Sequence, residues 1–154
     1  MLRTPEFVGI WGCTLKVKRS KNVLVIRLDE EEEVISSITE AVASEGIDSG
    51  IISSFVGAMK GCRLILRKGL EKSISIHMEV VGNGNISLYK GAPLVHLHVA
   101  AGSDTGFWVG HLTEGLVDVF CEIAIIPVDL RMIRKYGQSL ADSGVTVPYI
   151  LDFE

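Results

Sequence analysis

A chain of 154 residues with 47% hydrophobic and 22% charged side chains can bury one core without staples; it is too apolar to stay disordered and too short for two ordinary domains. The net charge of -4 excludes binding nucleic acid by bulk electrostatics, though not through a local basic patch. No apolar run reaches membrane-spanning length and the N-terminus lacks the plan of a secretory signal, so the expectation is a soluble, cytoplasmic protein with no membrane partner.

Cys13, Cys62 and Cys121 are odd in number, far apart and outside any Cys-x-x-Cys pattern. They read as reduced core residues, not a disulfide framework or thiolate metal site. Residues 1–22 form an extension: Phe7 to Val17 alternates as a strand, and Lys16, Lys18, Arg19 and Lys21 make a solvated strand end and turn. Residues 23–127 carry the main domain. Val23 to Leu28 is a short apolar strand, and the acidic run from Asp29 to Glu33 starts a helix, with Asp29 as cap and Glu32 three residues on. Val34, Ile35, Ile38, Ala41 and Val42 form its apolar stripe, and Gly46 ends it.

Strand character returns from Ile47 to Leu66, with a bend or bulge between Gly57 and Gly61. A turn at 68–71 leads into an alternating strand from Ser73 to Val81, whose polar face carries His77. Gly82, Asn83 and Gly84 give the strongest turn signal in the chain, predicting a hairpin into Asn85 to Tyr89. Leu94 to Val99 alternates next, then a polar turn (102–106), the run Phe107 to Val109, and a strand from Leu116 to Ile126 closed by Pro127. In residues 128–154, Asp129 caps a short helix through Tyr136, and the final residues form an edge strand or a docked extension on the same domain.

Three of the four histidines lie in the second half of the main domain. His96 and His98 are two apart in an extended run, so both imidazoles leave the sheet on one face. A hairpin returns His111 towards them, giving His-x-His, twelve residues, then His. A lone histidine in a strand is ordinarily a half-buried core residue. A same-face pair with a third on the neighbouring strand is a way for a sheet to offer three neutral nitrogens to one cation, and zinc suits them best, with nickel, cobalt and iron as alternatives. The reading depends on register, since a slip of one residue sends His111 to the opposite face. Glu122 lies on a strand that can neighbour the histidines; it is a salt-bridge partner or, beside a metal, a group that moves a proton.

In this order the chain resembles the plant and prokaryote conserved (PPC) domain family. The resemblance is carried by VLVIRL with its acidic helix start, the segment GIISSFVGAM, ISLYKG, the HLH strand, Gly110-His111-Leu112 and Glu122-Ile123. It implies an α+β fold in which a mainly antiparallel sheet packs on one main helix, distantly similar to acetolactate decarboxylase. It further implies a homotrimer and a metal, zinc or another divalent transition ion, held by His96, His98 and His111. The chain departs from the family pattern in Val109-Gly110, where many members have a glycine pair, and in Gly82-Asn83-Gly84-Asn85-Ile86-Ser87, where plant members have Gly-Arg-Phe-Glu-Ile-Leu. The AT-hook of plant members is absent from the sequence, so nucleic acid is not an expected partner of this chain alone.

Two functions follow. One is a trimeric metal protein whose open three-histidine site supports lyase, decarboxylase or hydrolase chemistry on a small carbonyl or carboxylate compound, with Glu122 as the candidate proton-transfer group. The other is a non-catalytic protein- or DNA-binding assembly module with a structural metal.

Overall fold

The computed structural model describes residues 16–67, 70–135 and 150–154. Its elements are β1 (Lys16–Ser20), β2 (Val23–Asp29), α1 (Val34–Ser44), β3 (Gly50–Arg67), β4 (Leu70–Ile74), β5 (Met78–Tyr89), β6 (Ala92–Gly102), β7 (Phe107–Pro127), β8 (Met132–Lys135) and β9 (Ile150–Phe153). The expected α+β architecture is present: a mostly antiparallel sheet with one helix among the described residues, α1 lying against β7, β6 and β2. No described helix is long and apolar enough to cross a membrane.

The sheet runs β1-β2-β7-β3-β5-β8-β9, and β6 pairs with both β5 and β7. That double pairing closes β7, β3, β5 and β6 into a ring, because β7 is long enough to meet β6 with its first residues and β3 with the rest. Alternation then sorts the side chains. Val95, Leu97 and Val99 of β6 point into the core at 7%, 0% and 1% exposure, each such burial contributing about 1.5–3 kcal/mol, while His96 and His98 take the other face. Val34, Ile38, Ala41 and Val42 form the buried stripe of α1, and Gly46, at φ 64, closes it as expected.

Several local expectations are corrected. Asp29 does not cap the helix; Glu33 does, its carboxylate accepting from the Ile35 and Ser36 amides at 3.2 and 2.7 Å. The residues before it are drawn to β7: the Glu31 amide donates to the Val117 carbonyl, and the Val117 amide to Glu32. Reciprocal bonding to β7 thus outweighs early helix initiation, although Glu32 still accepts from the Asp29 amide at 2.6 Å.

Gly82 to Gly84 is not a turn. β5 runs straight through it, with Gly82 opposite Phe55 and Val99 and Gly84 opposite Ile52 and Leu97. These positions need glycine because β6 passes so close: a Cβ on Gly84 would stand 1.8 Å from the His96 carbonyl oxygen. The hairpin turns instead at Lys90 and Gly91, whose φ values of 52 and 80 suit a tight primed turn.

The expected strand from Ser73 to Val81 is broken between β4 and β5, while the stretches from Ile47 to Leu66 and from Phe107 to Ile126 each form one long strand, β3 and β7, with register shifts between them. The helix expected after Asp129 is absent: Met132–Lys135 is β8, parallel to β5 through Ile133 and antiparallel to β9. The Met132 amide is held by Ser49 Oγ at 2.9 Å, so a tertiary hydrogen bond and strand pairing fix the segment as extended. The expected strand before Lys16 and the stretch from Tyr136 to Gly137 lie outside the described residues, apart from Lys16 and Val17 in β1.

Candidate metal centre

Register decides whether the histidines meet, and it is the favourable one: His98 stands directly opposite His111 across β6 and β7, and His96 follows two residues away on the same face. One nitrogen from each ring lies within 4.8 Å of the others. The ring centroids are 5.0 Å apart for His96 and His98, 5.0 Å for His96 and His111, and 5.5 Å for His98 and His111. A tetrahedral ion with Zn–N bonds of ~2.0–2.1 Å spaces its nitrogens about 3.3 Å apart, a contraction within reach of small side-chain rotations.

Two further observations fit a cation. His96 Nδ1 is buried and has no hydrogen-bond partner among the described residues, a loss of about 1–3 kcal/mol for a polar atom unless something binds it. Burial also favours the neutral form of His96 and His111, the state in which imidazole is a ligand. Burial, then the charge of Arg134 and the neighbouring rings, lowers His96 to about 4. Burial, His98 and Arg134 do the same for His111.

His98 is exposed, and an open groove of about 750 Å³ runs beside it, lined by Ile51, Ser53, Asn83, Asn85 and His96. The triad can therefore hold an ion on three sides and leave the outer side accessible. No carboxylate or thiol among the described residues joins the set.

The histidines are where sequence reasoning put them; Glu122 is not beside them. It is exposed, paired with Arg27 on one side and Val56 on the other. From Val56 the row continues through Val81 to Ala100 on the histidine strand, and Glu122 does not join the histidine cluster. His77, left out of the ligand set, accordingly lies elsewhere, exposed and bonded through Nδ1 to Asp118 at 2.5 Å.

Sequence reasoning missed Arg134. It is 7% exposed, donating from Nε to Ser87 Oγ at 3.3 Å and from Nη2 to Asn85 Oδ1 at 2.7 Å. Asn85 is the cross-strand partner of His96, which brings the guanidinium to the edge of the triad. An arginine at an alternating strand position carries no sequence signal distinguishing it from an ordinary solvated residue.

A mostly antiparallel sheet closed on itself, with one helix among the described residues and three convergent histidines that could hold a metal ion, defines a small α+β protein. Residues 15–129 match the model of the Plants and Prokaryotes Conserved (PCC) domain, and the chain belongs to that family. Solved structures agree. A protein of Bacteroides thetaiotaomicron, described as a candidate DNA-binding protein, is 25% identical with a TM-score of 0.77, covering 90% of this chain and 97% of its own. A PPC protein of Pyrococcus horikoshii is 28% identical with a TM-score of 0.67, covering 90% and 96%. The metal-containing protein of Archaeoglobus fulgidus shares the fold at 22% identity and a TM-score of 0.71, covering 90% and 98%. A comparison with curated proteins finds no match.

Proposed function

We propose that this chain is a cytoplasmic, homotrimeric metal protein whose three-histidine site holds zinc or another divalent transition ion with one side open to a small carbonyl or carboxylate compound. The observation that carries the reading is the convergence of His96, His98 and His111 around a buried, unpartnered nitrogen beside an open groove. A divalent ion there supplies Lewis acidity towards a substrate oxygen or an acidified water, which suits lyase, decarboxylase or hydrolase chemistry. The chain's own part is to keep two imidazoles neutral, to leave the outer face accessible, and to set a guanidinium beside it. The metal-containing relative supports the ion; the analogy with acetolactate decarboxylase suggests a reaction class, at the level of fold alone.

Assembly has its own support. Val56, Val81 and Val109 lie in one cross-strand row on the histidine face at 42%, 57% and 53% exposure. An apolar strip of this kind marks an interaction surface, and the trimer of the family fits it. A free and reducing environment suits Cys62 and Cys121, buried thiols that desolvation pushes up to about 11 and about 12.

A second reading, a non-catalytic assembly module with a structural metal, draws on the same apolar strip and on the description of the Bacteroides relative. DNA binding is its weaker form here, since the β1 basic residues Lys16 and Arg19 are turned to Asp29 and Glu45 at 3.9 and 3.6 Å.

Elemental analysis of the purified protein, with His98→Ala and His111→Ala alongside, tests the ligand set. Near one ion per chain in the parent and loss in both variants is expected; full metal in both variants would sink it. Chelation then separates the two readings: an open catalytic site keeps its trimer and most of its melting temperature without metal, whereas a structural metal takes both away.

A further inference from the structure

One row of side chains crosses the face that carries the triad. Asn83 on β5 stands opposite His98 on β6, and His98 stands opposite His111 on β7. Directly opposed residues of antiparallel strands project to the same face, with Cβ atoms about 4.5–5.5 Å apart. Asn83 is therefore the neighbour of His98, the exposed member of the triad, on the side away from His111. The strands are tight at this point: a Cβ on Gly82 would stand 2.4 Å from the His98 carbonyl oxygen, and one on Gly84 1.8 Å from that of His96. The two flanking glycines thus hold the Asn83 backbone close to both ligand positions of β6.

Asn83 also lines the open groove with His96, His98, Ser53 and Asn85, and the polar side chains there are not equivalent. Ser53 Oγ donates to the Ala124 carbonyl at 3.1 Å, and Asn85 Oδ1 accepts from Arg134 at 2.7 Å. The Asn83 carboxamide makes no side-chain hydrogen bond with any described residue. It is the uncommitted amide on the groove side of the triad.

Resting on the metal reading above, we propose that Asn83 is the second anchor of the open position: a small carboxylate compound is held by one oxygen on the triad ion and by the other on the Asn83 Nδ2–H. A carboxamide suits this task because it carries two donors and no titrating group. Asparagine donors of this kind hold negatively charged oxygens in other sites. The arrangement selects ligands with an acceptor a short step from the metal-bound atom.

The test uses the full chain loaded with cobalt(II), whose visible absorption reports changes at the ion. Acetate is compared with thiocyanate, which has the same charge but no second oxygen. Both are titrated into the parent, Asn83→Leu and Ser53→Ala, with cobalt content measured in each. Asn83→Leu should keep its cobalt, lose roughly 10-fold or more in acetate affinity, as expected for a hydrogen bond to a charged group, and bind thiocyanate as the parent does. Ser53→Ala should bind both anions as the parent does. Should Asn83→Leu fail to fold, Asn83→Ala removes the same donor and should show the same selective loss.

The proposal is overturned by acetate leaving the parent spectrum unchanged, by undiminished acetate binding in a cobalt-loaded Asn83 variant, or by acetate and thiocyanate weakening alike. Ser53→Ala losing as much acetate affinity as Asn83→Leu also overturns it. Each of these leaves the metal centre standing. A parent that takes up no cobalt, or His98→Ala and His111→Ala proteins that keep theirs, removes the metal centre itself.

Discussion

Replacing Gly84 by alanine is the sharpest perturbation of the sheet that carries the histidines. The added Cβ would lie 1.8 Å from the His96 carbonyl oxygen, 2.8 Å from its carbon and 3.0 Å from the Leu97 Cα, all backbone atoms, whereas real Cβ contacts stay above 3.0 Å. β5 and β6 must separate by roughly 1 Å or more, a fifth of the ~4.8 Å strand spacing. Overpacking of this kind costs about 1–3 kcal/mol, and weakening the adjoining pair of ladder hydrogen bonds adds roughly 0.5–1.5 kcal/mol each. The expected loss is about 2–6 kcal/mol, a large part of the ~5–15 kcal/mol stability of an ordinary domain. Because His96 rides on the displaced strand, metal uptake should fall as well.

Gly91→Ala is the matched comparison. Its position has nothing within 4 Å but a φ of +80, so the cost there is conformational, about 1–2 kcal/mol. Urea midpoints of the two variants decide the matter: if Gly84→Ala shifts the midpoint no more than Gly91→Ala does and takes up metal normally, the close approach of β5 to β6 is wrong.

Three other outcomes follow from the site and the helix. Glu33→Ala removes the helix cap and also the acceptor of the Gly115 amide, bonded at 2.9 Å, so it should cost about 1–3 kcal/mol, and Asp29→Ala should cost less; the reverse order in thermal melts would return the cap to Asp29. In the metal-free protein, His96 and His111 titrate near 4 when folded and near the ordinary 6.5 when unfolded, so the unfolded chain binds more protons between those values. Stability is therefore full above about pH 6.5 and falls towards pH 4, by roughly 2–4 kcal/mol after allowing for the partial exposure of both rings. His111→Asn should flatten that dependence, and a parent midpoint unchanged from pH 7 to pH 5 would contradict it. His77, raised chiefly by its hydrogen bond to Asp118, should titrate above 6.5 by NMR and return towards it in Asp118→Asn; its contribution is present below that value and is lost as pH rises through the folded pKa.

The clustering of the histidines was legible in the sequence because a period of two puts His96 and His98 on one face whatever the rest of the sheet does. The glycine-bearing stretch before Phe107 marked the turn that brings His111 back. The same local reasoning misread Gly82-Asn83-Gly84, since residues that tolerate a turn also tolerate a strand passing close overhead. It misplaced the helix cap for a related reason: five consecutive acids look equally able to cap, and only the bonds from 31–33 to β7 single out Glu33. Glu122 was attractive as a carboxylate on the right strand, yet strand membership says nothing about position along a strand of 21 residues.

By itself, then, the sequence determined the short-range facts: which residues alternate, where the main helix ends, and which imidazoles share a face, all set by backbone geometry over a few residues. The tertiary structure alone decided the closure of β7 on both β3 and β6, the conversion of 132–135 into a strand, and the burial of Arg134 at the edge of the triad. Those depend on contacts between segments tens of residues apart, where hydrophobic burial and hydrogen-bond satisfaction are settled jointly and no local pattern records the outcome.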